Sequence, residues 1–109
     1  MGYVCGMFEV QETATYSEWF KGLKDVQGRA RIILRIRRIV LGNLGDIVPV
    51  GGGVSELRIH SGPGYRMYIM RRGSTVIVLL GGGDKSTQRS DIAGAIALAA
   101  ELKEQFDAR

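Results

Sequence analysis

The stretch that decides the fold is Ser55–Lys85, SELRIHSGPGYRMYIMRRGSTVIVLLGGGDK. It contains three runs with strand character, Ser55–His60, Tyr65–Arg71 and Thr75–Leu80, joined by turn sequences of four and three residues. Connections this short join antiparallel neighbours. The last run is apolar from Val76 to Leu80, which is typical of a central strand covered on both faces. The sequence therefore predicts three adjacent antiparallel strands.

The segments before these strands indicate two helices and one further strand. Phe8–Glu12 alternates apolar and polar residues, as a short strand does. A first helix is expected to begin at Thr15, which is followed three residues later by Glu18 in the pattern of a capping box. A second helix is expected over Arg29–Leu41, because its isoleucines recur at helical spacing and Gly42-Asn43 follows.

The remaining segments complete the predicted fold. A third helix is expected over Gln88–Phe106, with Ser86 or Thr87 as its cap. Leu44–Gly53 is rich in glycine and contains Pro49, so it is expected to be irregular. The predicted fold class is α+β, in the order β-α-α-β-β-β-α: a small antiparallel-rich twisted sheet with two N-terminal helices and one C-terminal helix.

Length and composition are those of one globular domain. The chain has 109 residues, of which 45% are hydrophobic and 24% charged. Residues 1–109 are therefore expected to form one domain, with residues 1–6 as a flexible tail. The single cysteine, Cys5, excludes an internal disulfide. No apolar run reaches the ~18 residues that a membrane helix needs, and no signal peptide is recognised, so we expect a cytoplasmic protein without membrane association.

The net charge of +4 conceals a strong asymmetry. Between Lys21 and Arg72 there are eleven lysines and arginines but three acidic residues, so this segment carries +8 and the rest of the chain −4. Such clustering indicates a polyanion or an acidic protein as partner, although a solvated basic surface is the plain alternative. Arg31, Arg35 and Arg38 share one face of the second predicted helix, which is either a solvated surface or a docking surface for an RNA backbone or an acidic partner.

Strand alternation places further basic side chains together. Arg58 and His60 share one face of their strand, and Arg66 and Tyr68 share one face of the next. If these two faces coincide in the sheet, they combine with Lys85, which follows the third strand. The sequence therefore predicts a site with three cations, an imidazole and a phenol.

This set of side chains suits cleavage of an RNA phosphodiester without a metal. The reaction needs a base for the 2′-hydroxyl, an acid for the departing 5′-oxygen and fixed cations for the charge of the phosphorane. Arg58 and Arg66 can hold phosphate oxygens as bidentate forks. His60 can exchange a proton near neutral pH. Lys85 can act as a base only if neighbouring cations lower its pKa, and otherwise it is an electrostatic clamp.

Tyr65 and Tyr68 complete the predicted site as RNA-binding residues, because aromatic rings stack on nucleic-acid bases. The site residues also have structural explanations. The arginines could pair across strands with Glu56 or Asp84, and a single histidine on a strand is commonly a turn or surface residue. Both explanations stay open at the level of sequence.

Nucleotide-loop, metal and cofactor sites are not supported. Gly81-Gly82-Gly83-Asp84-Lys85-Ser86 resembles a nucleotide-binding loop but lacks its glycine spacing, since residue 84 is aspartate. One histidine, one cysteine and no paired carboxylate motif give no basis for a metal site. No cofactor is expected.

With these motifs placed, the chain resembles toxins of the RelE/ParE superfamily, specifically the HigB-like, phage-related branch of addiction module killer proteins. The resemblance extends over residues 7–102. It rests on ELRI (56–59), GPGYRMY (62–68) and LGGGDKSTQ (80–88), followed by Asp91-Ile92 and an alanine-rich helix. The predicted order of helices and strands is also that of the family.

The resemblance implies the toxin of a type II toxin–antitoxin system: a cytoplasmic ribonuclease that cuts mRNA, commonly on the ribosome, and inhibits translation until a cognate helix-turn-helix antitoxin binds it. Active sites of the family are basic and lie on the concave face of the sheet. On this chain Arg58, Arg66 and Lys85 match motif positions, and His60 is a weaker match. Two alternatives stay open: a ParE-like inhibitor of DNA gyrase without nuclease activity, and an inactive module that only binds a partner.

Overall fold

Five strands and three helices make up residues 7–107, the part of the chain that the computed structural model describes. In chain order they are β1 (Glu9–Glu12), α1 (Ala14–Gly22), α2 (Val26–Val40), β2 (Ile47–Gly51), β3 (Val54–Ile59), β4 (Tyr65–Arg72), β5 (Val76–Gly83) and α3 (Gln88–Asp107). A short 3₁₀ turn, Lys85–Thr87, leads directly into α3. The fold is α+β, as predicted. The tail predicted at residues 1–6 lies outside the described residues.

The five strands form one mixed sheet in the order β1-β5-β4-β3-β2. β3, β4 and β5 are consecutive antiparallel neighbours, which confirms the prediction from their short connections. β1 pairs with β5 in parallel, and β2 pairs with β3 in antiparallel. β5 is therefore an interior strand, as predicted, and its residues from Ile77 to Leu80 are buried.

Alternation along the strands divides the hydrophobic core into two layers. On one face of the sheet, Leu57, Met67 and Leu79 belong to a layer that includes Tyr16 of α1 and Ile32 of α2. The opposite face is covered by α3, whose predicted apolar stripe lies entirely in the second layer: Ile92, Ala95, Ile96, Ala99, Leu102 and Phe106. Each large apolar side chain buried in this way contributes about 1.5–3 kcal/mol, so the two layers hold the sheet between the helices.

The segment predicted to be irregular, Leu44–Gly53, contains an additional strand, β2. This strand lies at the edge of the sheet, where Pro49 is tolerated because an edge strand does not need every backbone N–H for pairing. Arg35 of α2 holds the chain that leads into this strand. Its Nη2 donates to the carbonyl oxygens of Leu44 at 3.0 Å and Asp46 at 2.8 Å. The local sequence does not show this contact between distant segments, so the prediction for this segment is wrong.

The first two helices begin earlier than predicted. Thr13, not Thr15, caps α1, because its hydroxyl oxygen accepts a hydrogen bond from the amide of Tyr16 at 3.1 Å. α2 begins directly after Asp25, whose carboxylate accepts from the amide of Gly28 at 3.0 Å. Side-chain caps of this kind satisfy amide groups that the helix itself leaves without partners.

The third predicted strand ends at Leu80, but β5 continues through the glycine run at residues 81–83. The ring of Trp19 in α1 packs against Gly82, and the carboxylate of Asp91 in α3 lies against Gly83. A side chain at either position would overlap these groups. Glycine in a strand often marks such a close approach, and here it lets α1 and α3 pack closely on the sheet. None of the helices within residues 7–107 has both the length and the apolar character needed to cross a bilayer.

Gly82→Ala is expected to destabilise the protein by about 1–3 kcal/mol, because the added methyl group would overlap the ring of Trp19 in a packed layer. Urea unfolding, followed by the fluorescence of the chain's single tryptophan, measures the change in free energy of unfolding.

Gly94→Ala, in α3, is the matched control. A methyl group there meets nothing within 4 Å, and alanine is favoured over glycine in a helix interior by about 0.8–1 kcal/mol, so this variant should be more stable than the wild type. Equal stability of Gly82→Ala and the wild type would contradict the packing explanation.

Candidate functional site

A cavity of about 720 Å³ opens beside the turn between β3 and β4. Its walls come from the end of β3, the turn at residues 61–64, the start of β4 and the residues around the start of α3. Arg58, His60, Arg66 and Lys85 all line it. The structure therefore brings together the four residues predicted as catalytic, and none of the described residues that line this cavity is acidic.

The sheet register explains why Arg58 and Arg66 meet. They are direct partners in the antiparallel pair formed by β3 and β4. The polar faces of the two strands therefore coincide, as predicted. The side chain of Arg66 is 10% exposed and that of Arg58 is 39% exposed. Like charges directly opposite each other repel, so this pair requires a counter-charge.

Glu56 supplies that counter-charge. Its side chain is 1% exposed, and its Oε1 lies 3.3 Å from Nε of Arg58 and 3.4 Å from Nε of Arg66. Its Oε2 accepts hydrogen bonds from the hydroxyl of Tyr68 at 3.2 Å and the side-chain amide of Gln88 at 2.9 Å. One buried carboxylate thus connects β3, β4 and α3 and holds both arginines at the cavity.

These partners keep Glu56 ionised. Burial by itself raises the pKa of its carboxyl group, but hydrogen bonds from Gln88 and Arg58, together with the charge of Arg66 and the Tyr68 hydroxyl, outweigh that effect and lower the pKa below its ordinary value. Glu56 is therefore a carboxylate at neutral pH. Two guanidinium groups share its single negative charge, and Lys85 adds a third cation, so the site retains an excess of positive charge.

Lys85 is exposed at the rim of the cavity. It begins the 3₁₀ turn that leads into α3. Asp84 caps this turn, because its carboxylate accepts a hydrogen bond from the amide of Ser86 at 2.8 Å. Gly64 in the facing turn has a φ of +79°, and a Cβ atom there would lie 3.4 Å from Cγ of Lys85. Glycine at this position therefore suits both the turn and the close passage of the lysine chain.

His60 follows β3, and its side chain is 77% exposed. Its Nε2 lies 2.8 Å from Oδ2 of Asp46, the residue that directly precedes β2. The hydrogen bond from His60, more than the charges of Arg58 and Arg35, lowers the pKa of Asp46 below its ordinary value. Because Asp46 engages Nε2, the nitrogen of the ring that is left for a substrate is Nδ1.

The two tyrosines have structural positions. Tyr68 is fully buried under α3, and burial raises the pKa of its hydroxyl, which stays protonated and donates to Glu56. Tyr65 lines the cavity but is 5% exposed, and its hydroxyl donates to Oδ2 of Asp25 at 2.8 Å, which ties β4 to the cap of α2. The base-stacking role of Tyr65 and Tyr68 stays a prediction, and the burial of both rings counts against it.

The three arginines predicted to share one face of α2 differ in their surroundings. All three line a second cavity of about 240 Å³. Arg35 donates to backbone carbonyls, including that of Arg58 at 2.6 Å, so it anchors the chain around β2 and β3 and is not available to bind RNA as predicted. Arg31 and Arg38 are exposed, and for them RNA binding stays a prediction.

Three polar residues of the site, Glu56, Asp46 and Gln88, are absent from the predicted set. Alternation along β3 does place Glu56 on the same face as Arg58, and this is the signal that could have identified it. Its burial depends on Gln88, which is 32 positions away in the chain. Asp46 and Gln88 belong to no local pattern in the sequence.

The geometry allows two kinds of chemistry. Fixed guanidinium groups can bind the oxygens of a phosphodiester, and an exposed imidazole beside them can exchange a proton. Within residues 7–107, no three side chains of His, Cys, Asp or Glu cluster as ligands of a metal ion would. The positive charge along the described lining of the cavity comes from Arg58, Arg66 and Lys85.

Glu56→Gln is expected to lower the free energy of unfolding at neutral pH by about 3 kcal/mol, because Arg58 and Arg66 then face each other without a counter-charge. The pKa of Glu56 is lowered in the folded state, so its ionisation stabilises the fold above about pH 4.5, and this contribution disappears as the pH falls through the folded-state pKa.

The difference in free energy of unfolding between the wild type and Glu56→Gln should therefore become smaller as the pH is lowered. Urea unfolding at neutral pH and at about pH 3 measures it. Glu101→Gln, on the exposed face of α3, is the control, and its free energy of unfolding should equal that of the wild type at both pH values. A difference that does not change with pH would contradict the proposed charge state of Glu56.

Comparisons with known proteins relate this chain to a protein of Haemophilus influenzae. No protein-family model matches the chain. The Haemophilus influenzae protein, described as "Uncharacterized protein", is 45% identical over 94 residues, which cover 86% of this chain and 95% of that protein. Identity at this level, over nearly the whole of that protein, shows common ancestry. The chain therefore belongs to the same protein family as this Haemophilus influenzae protein.

Proposed function

We propose that this protein is a metal-independent endoribonuclease that cleaves mRNA, and that it is the toxin of a type II toxin–antitoxin pair. The observation that carries the proposal is the convergence of Arg58, His60, Arg66 and Lys85 on one cavity. RNA cleavage without a metal requires fixed cations and a group that exchanges protons, and this cavity has both. The resemblance of the sequence to RelE/ParE toxins supports the same activity.

In the proposed reaction the two arginines hold the scissile phosphate. Glu56 lies beside Nε of each of them. Nη1 of Arg66 donates to the carbonyl oxygen of Gly64 at 3.4 Å, so the groups left for phosphate oxygens are Nη2 of Arg66 and the terminal groups of Arg58. Because this contact fixes both guanidinium groups before the substrate arrives, they need little rearrangement as charge develops on the phosphorane. Pre-oriented charge of this kind is commonly the largest contribution to catalysis.

His60 is assigned to proton exchange, and Lys85 is assigned to charge stabilisation. The 2′-oxygen of the ribose attacks phosphorus while its proton passes to a base, and the 5′-oxygen departs with a proton. The products are a 2′,3′-cyclic phosphate and a 5′-hydroxyl end. His60, held by Asp46 with Nδ1 available, is the group suited to exchange a proton, and Lys85 at the rim adds positive charge for the phosphate.

The biological setting is part of the same proposal. A cytoplasmic location, mRNA on the ribosome as substrate and a cognate helix-turn-helix antitoxin follow from the resemblance to the toxin superfamily. The basic segment from Lys21 to Arg72, with its charge of +8, supports a polyanionic or acidic partner. A small neighbouring gene that encodes a helix-turn-helix protein would support the pairing.

A second candidate function is a binding module without catalysis. The observation that favours it is the pairing of the site's own charges: Arg58 and Arg66 share Glu56, and His60 contacts Asp46. Such a module would bind RNA or an antitoxin and leave mRNA intact. A ParE-like inhibitor would also leave mRNA intact but would block DNA supercoiling by gyrase.

Induced expression of the protein is expected to arrest translation and to cut mRNA at discrete positions. Arg66→Ala should reduce cleavage by roughly 100-fold or more, the effect of removing one group that stabilises the transition state. Mapping of RNA 5′ ends after induction measures this.

Arg71→Ala is the matched control, because Arg71 is exposed on the same strand and does not line the cavity. This variant should cut mRNA as the wild type does. Intact mRNA after induction would overturn the nuclease proposal. Arrested growth together with inhibition of purified gyrase would then identify the gyrase inhibitor instead.

His60→Ala is expected to lower the cleavage rate by about 100- to 10,000-fold, the range of a general acid or base. Asp46→Asn should cause a smaller loss, because it removes the partner of Nε2 and leaves the imidazole in place. The double variant should be no slower than His60→Ala alone, since Asp46 acts through His60. If Asp46→Asn causes the same loss in the absence of His60, the two residues act independently and the assignment is wrong.

A further inference from the structure

The first and second cavities described above share part of their walls. Arg58, Ile59 and His60 line both. The first cavity lies towards Arg66 and Lys85, and the second lies towards α2. A chain-like ligand that fills the first cavity can therefore continue across Arg58 and His60 into the second.

The joint surface of the two cavities is strongly positive. Six lysine or arginine side chains line it, and Asp46 is the one carboxylate among the described lining residues, which gives a charge of +5. The whole chain carries +4. A single scissile phosphate would be bound by the cations of the first cavity. The cations of the second cavity would then have no phosphate to bind. Affinity for nucleic acids increases with the number of phosphates that are neutralised, so the additional cations suit a ligand with more than one phosphate.

The groups of the second cavity differ in what they can bind. Arg35 is occupied by backbone carbonyls, and Asp46 is engaged by His60. Arg31 and Arg38 are exposed and lie two helical turns apart on the same face of α2. Leu34, which is 50% exposed, lies between them and lines the same cavity. An apolar side chain between two cations suits a nucleotide, whose base or ribose contacts the leucine while the phosphate meets the arginines.

We propose that the second cavity is a subsite for a neighbouring nucleotide of the same RNA strand, with its phosphate held by Arg31 and Arg38. The inference rests on the proposed function, because it takes the scissile phosphate of an RNA to lie in the first cavity. It assigns the substrate to extended single-stranded RNA and not to mononucleotides or dinucleotides. A cavity of about 240 Å³ is of the size of one nucleotide unit.

The test measures binding of RNAs of increasing length, from a dinucleotide to a hexanucleotide, to the purified full-length protein by fluorescence anisotropy. The oligonucleotides carry 2′-O-methyl groups, so they cannot be cleaved. The variants are the double substitution Arg31→Ala with Arg38→Ala, the single substitution Arg66→Ala, and Arg37→Ala as the matched control. Arg37 is exposed on the same helix and does not line either cavity.

Wild-type affinity should increase with length, and the double variant should lose that increase while it binds the dinucleotide as the wild type does. Each arginine should account for roughly two- to fivefold in affinity, as exposed ion pairs do. The slope of log affinity against log salt concentration should fall by about 0.7 for each phosphate contact removed. Arg66→Ala should weaken binding at every length, and Arg37→Ala should behave as the wild type.

Three results would overturn the inference: no gain in wild-type affinity with length, a gain that survives in the double variant, or polyglutamate that binds as tightly as RNA with the same dependence on Arg31 and Arg38. The last result would assign the surface to an acidic protein partner. Failure of the proposed function has a different signature. Uncut mRNA in induced cells, together with the expected length dependence in the binding assay, would rule out the proposed nuclease activity and still support the RNA subsite.

Discussion

A single buried carboxylate, that of Glu56, is the constraint on which the sheet and the candidate site both depend. An unpaired charge in a protein interior costs several kcal/mol, so the structure must surround Glu56 with donors. Its hydrogen-bond donors are Arg58 on β3, Tyr68 on β4 and Gln88 at the start of α3, and Arg66 on β4 adds an ion pair. Satisfying one side chain therefore fixes the position of α3 over the sheet and holds two guanidinium groups beside the cavity.

The candidate site separates fixed groups from exposed ones. Arg66 is almost buried and Arg58 is half-buried, and both are held by Glu56. His60 and Lys85 lie at the exposed margin, where a substrate can reach them. This arrangement suits the proposed chemistry, because charge stabilisation benefits from rigid, pre-oriented groups while proton exchange requires access.

α2 shows how one helical pattern acquires two roles. Arg31, Arg35 and Arg38 are equivalent in the sequence, since helical spacing places them on one face. In the folded chain Arg35 turns towards the backbone around β2 and becomes part of the scaffold. Arg31 and Arg38 stay exposed beside the second cavity. The same helix thus supports the edge strand and presents cations to the proposed RNA strand.

The sequence by itself determined the features that follow from local backbone geometry. Period-two alternation placed Arg58 on the polar face of β3 and Arg66 on the polar face of β4, and short turns made β3, β4 and β5 antiparallel neighbours. Only the tertiary structure decided which charges pair and which rings are buried. Glu56 meets Gln88 and Arg35 meets Asp46 across long separations in the chain, and Tyr68 is covered when α3 packs on the sheet. Such contacts depend on how distant segments pack together, which no local period encodes.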